Sequence, residues 1–238
     1  MYGWRGRIGH ICPSIPIDMI MNEFQLMLPD GVQMVYSSLH VQNIQNSDFD
    51  RALERLTEAT EQIADGEVDC IIAGGGPLVA MRGTDADIVE HITSIAKVPS
   101  STTTGAMISA LRHLEAKRVA IASPYSDERN VLLGKYLESQ GFEVVGQKGL
   151  GLTRAMDIAK LPWHASYELA RKAAADAPGA DAIYMPCARF PIIGNIDIIE
   201  QDTGIPIVTS VQSMTWWGLN AIGIGEEILG FGLLLEDR

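Results

Sequence analysis

Short continuous apolar runs alternate along this chain with longer amphipathic segments, a pattern that predicts a parallel sheet covered by helices on both faces. Arg7–Ile11 is expected to be a first strand, ended by Pro13. Asp18–Leu28 is rich in Met and Leu at helical spacing, and Val32–Leu39 predicts a second strand after the turn Pro29-Asp30-Gly31. Ser47 to Asp50 has capping-box spacing, with Asp in the Glu/Gln position, and opens an amphipathic helix to about Ala64. Leu53, Leu56, Ala59, Thr60 and Ile63 share one face of it. Val68–Ala73 predicts a buried strand running into Gly74-Gly75-Gly76-Pro77. Thr84 to Asp87 caps a helix to about Ile95, a short strand follows Pro99, and Thr103–Leu114 is again helical. Arg118–Ala122 and Ala182–Met185 are further buried strands, so Cys187 lies just past a strand's carboxyl end. In an open α/β sheet, ligands and chemistry collect there.

The second half repeats the first. Gly6 to Pro13 aligns with Lys117 to Pro124 at an offset of 111 residues, and Asp69 to Gly75 aligns with Asp181 to Cys187 at 112. Val98-Pro99 and Thr102 align with Ile205-Pro206 and Thr209 at 107. Three blocks in the same order imply a duplicated unit. The expected fold is α/β: two pseudo-symmetric Rossmann-like lobes, each with a mostly parallel sheet flanked by helices, and an active site in the cleft between them. The lobes are expected to span residues 1–114 and 115–238, with the C-terminal segment free to cross back to the first.

Composition narrows the function. The 238 residues suffice for a core, and 47% hydrophobic with 20% charged residues is an ordinary globular balance. The net charge of −12 argues against nucleic acid and anionic membrane as partners. Three cysteines, Cys12, Cys70 and Cys187, form no disulfide framework and suggest a reducing compartment. The five histidines are scattered and no metal-ligand spacing occurs, so no metal is expected. The first residues, Met1 to Arg7, lead into no long apolar run, and no run reaches the ~20 residues of a membrane helix. A cytoplasmic location is the expectation, and a homo-oligomer is compatible with it.

Cys187 is open to two readings from position alone, a core cysteine or a proton-handling thiol. The duplication sets Gly75 opposite it. A cysteine at both positions would suit a two-base racemase. A single thiol can instead protonate a carbanion, or add to an activated double bond. Cys12 is read as filling space and Cys70 as core. His10 and His40 are read as structural, Trp216-Trp217 as packing, and Asp127 and Asn130 as capping or bracing the helix after Tyr125.

Several motifs in order carry a resemblance: Ile8 to Ser14, Gly75-Gly76-Pro77 with Arg82-Gly83, Ala122 to Asp127 with Asn130, and Pro186-Cys187. From about Ile8 to Gly218 the chain resembles the aspartate/glutamate racemase superfamily, and within it the arylmalonate decarboxylase and maleate cis–trans isomerase branch. The resemblance implies a cofactor-free enzyme acting on small carboxylates. It implies Cys187 as the lone catalytic cysteine, because glycine at Gly75 matches the decarboxylases, whereas isomerases and racemases carry cysteine at both positions. It places Tyr125 in an oxyanion pocket with backbone N–H groups of the Gly75 loop and of the segment after Cys187. The substrate-binding positions so implied are Pro13, Ser14, Gly75, Gly76, Ala188 and Arg189. The chain departs from the pattern in carrying Gly76-Pro77 where decarboxylases have Thr-Ser, in Ser14 where they have a second proline, and in lacking the isomerase asparagine near Pro16. Arg189 also stands where small or polar residues are usual; it could hold a second carboxylate in a bidentate fork or face solvent.

The enediolate-forming reading is decarboxylation of a malonate-type acid, with fixed donors meeting the developing charge in a dry site. Such a thiol stays protonated until it reacts, so its pKa is expected not to be strongly depressed. The alternatives are maleate isomerisation or racemisation, and a non-catalytic carboxylate-binding module.

Overall fold

The computed structural model describes residues 2–13, 19–39, 46–74 and 85–237, with backbone alone for 46–53. Two compact units emerge: Met1–Ala106 with Met214–Gly225, and Met107–Ser213 with Glu226–Arg238.

The first unit holds β1 (Gly6–Cys12), α1 (Met19–Met27), β2 (Val32–Ser38), α2 (Asn46–Ala64), β3 (Cys70–Ala73), α3 (Asp85–Ala96), β4 (Ser100–Thr102) and the start of α4 (Thr103–His113). Its sheet is parallel, in the order β2-β1-β3-β4. The central strands β1 and β3 are buried on both faces, which is why they read as unbroken apolar runs. Ile11, Ile71 and Ala73 pack with Leu56, Ala59 and Ile63 of α2 and Ile92 of α3 in one core. Gly9 is fixed by that packing, since a Cβ there would meet the Ile63 side chain at 2.5 Å.

The second unit repeats this plan with β5 (Arg118–Tyr125), α5 (Asp127–Ser139), β6 (Glu143–Leu152), α6 (Ala155–Ala159), α7 (His164–Asp176), β7 (Ala182–Met185), α8 (Ile196–Thr203), β8 (Ile207–Thr209) and the start of α9 (Ser210–Ala221). A short α10 (Leu233–Glu236) closes the chain. The order β6-β5-β7-β8, again all parallel, matches the first sheet strand for strand. The α/β architecture of two helix-flanked parallel sheets is therefore as the duplication implied.

Some boundaries differ from expectation. The second helix begins at Asn46, so Ser47 lies within it. Ser126, not Asp127, is the N-cap of α5, and Asp127 is its first helical residue. Thr84 and His40 lie outside the described residues. None of the described helices is long and apolar enough to cross a membrane.

Candidate active site

The site takes shape in the second unit, at the carboxyl edge of β5 and β7. These strands pair through Ile121 and Tyr184, so the segments that follow Ala122 and Met185 leave the sheet side by side. Ala182–Met185 is completely buried, and Pro186 ends it. Cys187 then turns with φ +91°, a conformation uncommon for a side-chain-bearing residue. Such a backbone costs roughly 1–3 kcal/mol and persists only when its surroundings impose it. Here the Phe190 N–H donates to the Cys187 carbonyl at 2.9 Å, closing a tight turn through Ala188 and Arg189.

That turn brings donors onto the sulfur. The Arg189 backbone N–H and the Tyr125 hydroxyl both hydrogen-bond Cys187 Sγ. Burial pushes the thiol pKa up; the Tyr125 hydroxyl, the Arg189 N–H and the charges of Arg129 and Arg189 oppose this without cancelling it. Cys187 is consequently a thiol, not a thiolate, at neutral pH. Burial, then the nearby Cys187 sulfur, holds the Tyr125 phenol well above its usual range, with Arg129 opposing. Tyr125 therefore acts as a permanent O–H donor.

Tyr125 is positioned from three directions. Its N–H donates to Ser123 Oγ at 3.1 Å, and the Ser123 hydroxyl is itself held by the buried Asn130 side chain. The Asn130 N–H donates to the Ser126 carbonyl at 3.0 Å, locking the turn into α5. Arg129 lies over the Tyr125 ring, its Cζ 4.2 Å from the centroid, a cation–π contact. On the sheet side, Gly149 of β6 lets the backbone close in: a Cβ there would meet the Tyr125 carbonyl at 2.4 Å. The β5–β6 register shifts between Ser123 and Tyr125, where this approach occurs.

Arg189 is buried to 6% exposure, with Nη1 3.8 Å from Met156 Sδ of α6. Its placement indoors, beside the thiol, removes the reading of a solvent-facing arginine. Of the residues expected from sequence, Cys187, Tyr125, Ala188 and Arg189 thus come together in one unit. Pro13 follows β1 in the other unit, and Ser14, Gly75 and Gly76 lie outside the described residues. Cys12 and Cys70 are buried, whereas Cys187 is partly exposed. His10 is also buried, bonded through Nδ1 to the Ile72 carbonyl at 3.0 Å. Among the described residues, no three His, Cys, Asp or Glu side chains gather as metal ligands.

Sequence reading missed Arg129, Gly149 and Met156. Arg129 follows Tyr125 by four residues, the spacing that stacks side chains on a helix face, and could have been suspected. Gly149 gives no local signal, because its need arises from a neighbouring strand.

A partly exposed, protonated cysteine past one strand end, with a phenol from the next strand on its sulfur, is the feature that marks this small two-sheet α/β protein. The chain belongs to the arylmalonate decarboxylase family: the model of that family matches residues 8–235. It is 23% identical over 214 residues to the arylmalonate decarboxylase of Bordetella bronchiseptica, covering 89% of each chain. It is 24% identical over 245 residues to the maleate isomerase of Pseudomonas putida, covering 97% of each. A crystal structure of arylmalonate decarboxylase superposes with a TM-score of 0.84, at 23% identity, over 98% of this chain and 100% of that one. The relatives are enzymes of two kinds, and the shared fold is common to both.

Proposed function

We propose that this chain is a cofactor-independent decarboxylase of a malonate-type acid, with Cys187 as the proton donor. The observation that carries the reading is the protonated Cys187 thiol with the Tyr125 hydroxyl on its sulfur. Loss of CO2 leaves the electrons of the broken C–C bond on the α-carbon, delocalised into the remaining carboxylate as an enediolate. Cys187 gives its proton to that carbon, forming a C–H bond and a thiolate. The Tyr125 hydroxyl, the Arg189 N–H and the charges of Arg129 and Arg189 then stabilise the thiolate. Solvent returns the proton to sulfur and the cycle is complete.

The buried Arg189 side chain favours a substrate with a further anionic or polar group over a plain arylmalonate. Ala188 supplies a small side chain in the turn where the acid would lie, and Pro13, Ser14, Gly75 and Gly76 remain assigned to substrate binding through the family resemblance. CO2 release from a panel of substituted malonates tests the reading, with maleate assayed beside them. Conversion of maleate to fumarate without CO2 release from any malonate would replace it with the second reading, cis–trans isomerisation. That reading draws on the Pseudomonas putida relative, whose match covers 97% of both chains. It would need Cys187 to attack as a thiolate, which burial works against.

A further inference from the structure

One buried hydroxyl on the strand beside β7 has no hydrogen-bond partner. Thr209 ends β8 and directly precedes α9. Its side chain sits at 2% exposure, and Oγ1 has no hydrogen-bond partner. A residue in that place ordinarily turns its oxygen back to accept from the first N–H groups of the helix. Half of a capping box is present: Gln212 Oε1 accepts from the Thr209 N–H at 3.1 Å, and Gln212 Nε2 is anchored on the Phe231 carbonyl at 2.8 Å. The reciprocal bond from the hydroxyl is missing. One helical turn on, Ser213 Oγ is likewise buried without a partner.

The first unit shows what the same position does when it serves structure. Thr102 ends β4, directly precedes α4, and is equally buried at 2% exposure. Its Oγ1 accepts from the Gly105 N–H at 2.9 Å and donates to the Asp85 carboxylate. The strand register is equivalent too. Thr102 pairs with Ala73 and Thr209 with Met185, and Met185 is two residues before Cys187.

We infer that Thr209 Oγ1 is a substrate-binding donor, which hydrogen-bonds the carboxylate retained by the acid at Cys187. The inference rests on the reading of Cys187 as the site of that acid. A buried polar group left unpaired costs free energy, so an unpaired hydroxyl at a sheet's carboxyl edge is explained by an occupant that completes it. The adjoining helix start carries partial positive charge and favours an anion in that role. Thr209 itself has no part in proton transfer.

Protection of the Cys187 thiol against iodoacetamide, read by mass spectrometry, tests this with unsubstituted malonate as the probe. Malonate is expected to slow labelling of Cys187 in the wild type. In Thr209→Val, which keeps the shape and removes the hydroxyl, the concentration for half-protection should rise by about tenfold. Thr209→Ser should restore it to within about twofold. The melting temperature of Thr209→Val should be unchanged or higher, because an unpaired polar atom has been removed. Unchanged half-protection in Thr209→Val overturns the inference, and so does a fall in Tm of more than about 5 °C, which would reveal a structural partner. Failure of the valine variant to fold would equally reveal a structural role and overturn the inference. An absence of malonate protection in the wild type would remove the acid from Cys187, and both readings with it.

Discussion

The two sheets share a strand order and parallel pairing, yet their carboxyl edges are put to different uses. Among the described residues of the first unit, groups at or near that edge are tied up in structure: Thr102 caps α4 and binds Asp85, Cys12 is buried, and His10 is bonded to the Ile72 carbonyl. In the second, the edge holds groups with work outstanding, and Thr209 is the repeat partner of Thr102. Cys187 is partly exposed in an uncommon backbone conformation, Tyr125 donates to its sulfur, and the Thr209 hydroxyl is unpaired. At the one matched pair, duplication thus leaves Thr102 satisfied in one copy and Thr209 unpaired in the other, the unsatisfied polarity that a site requires.

The largest effect expected to sharpen this contrast is on turnover. Cys187→Ala should lower the rate of malonate decarboxylation by roughly 10²–10⁴-fold, the usual worth of a positioned proton donor. Cys12→Ala, in the first unit, should stay within about twofold of wild type on the same assay, since a small core residue there does no chemistry. Tyr125→Phe comes next. The loss of a preorganised donor predicts a fall of about 10²-fold in the same rate. The Tyr125 hydroxyl lowers the Cys187 pKa, so its removal should move the pH midpoint of Cys187 alkylation higher still. A midpoint that drops would contradict the way the sulfur is held here.

The first unit makes its own prediction through pH. Burial, partly offset by the bond to the Ile72 carbonyl, lowers the His10 pKa from the usual 6.5 to about 4. The unfolded chain takes up a proton there below pH 6.5 and the folded chain only near 4. The stability His10 contributes as a neutral group is therefore present above pH 6.5 and is lost as pH falls to about 4. The loss is on the order of 3 kcal/mol, measurable by urea denaturation at pH 7 and 4.5. His10→Gln should flatten that difference. The smallest effect separates the paired threonines directly. Thr102→Val should destabilise the protein by about 1–2 kcal/mol, through loss of a helix cap and a bond to a carboxylate. Equal losses in Thr102→Val and Thr209→Val would erase the distinction between the two edges.

Much of this framework is legible in the sequence. The run Ala182–Met185 is a strand with the expected bounds, because a short apolar segment between Asp181 and Pro186 has few other stable forms. The internal repeat foretells two sheets of one topology, and it matches Thr102 with Thr209. It cannot foretell that one hydroxyl is satisfied and the other not, since this depends on Asp85 and Gly105 being present in space around Thr102. Asn130 braces the helix after Tyr125, as its place in the chain suggests, and does so through Ser123. The positive φ of Cys187 has no local signal, because glycine is the residue that usually announces it. Arg189 can be read as surface or site from sequence; only packing against Met156 settles that it is buried.

The most direct test of Cys187 as the proton donor is to run wild type and Cys187→Ala in deuterated water with a panel of substituted malonates, following CO2 release and the isotope on the α-carbon. The wild type is predicted to decarboxylate at least one of them, placing a single deuterium on that carbon, and the alanine variant to lose this activity. An alanine variant that releases CO2 and deuterates the product as fast as wild type would contradict that role.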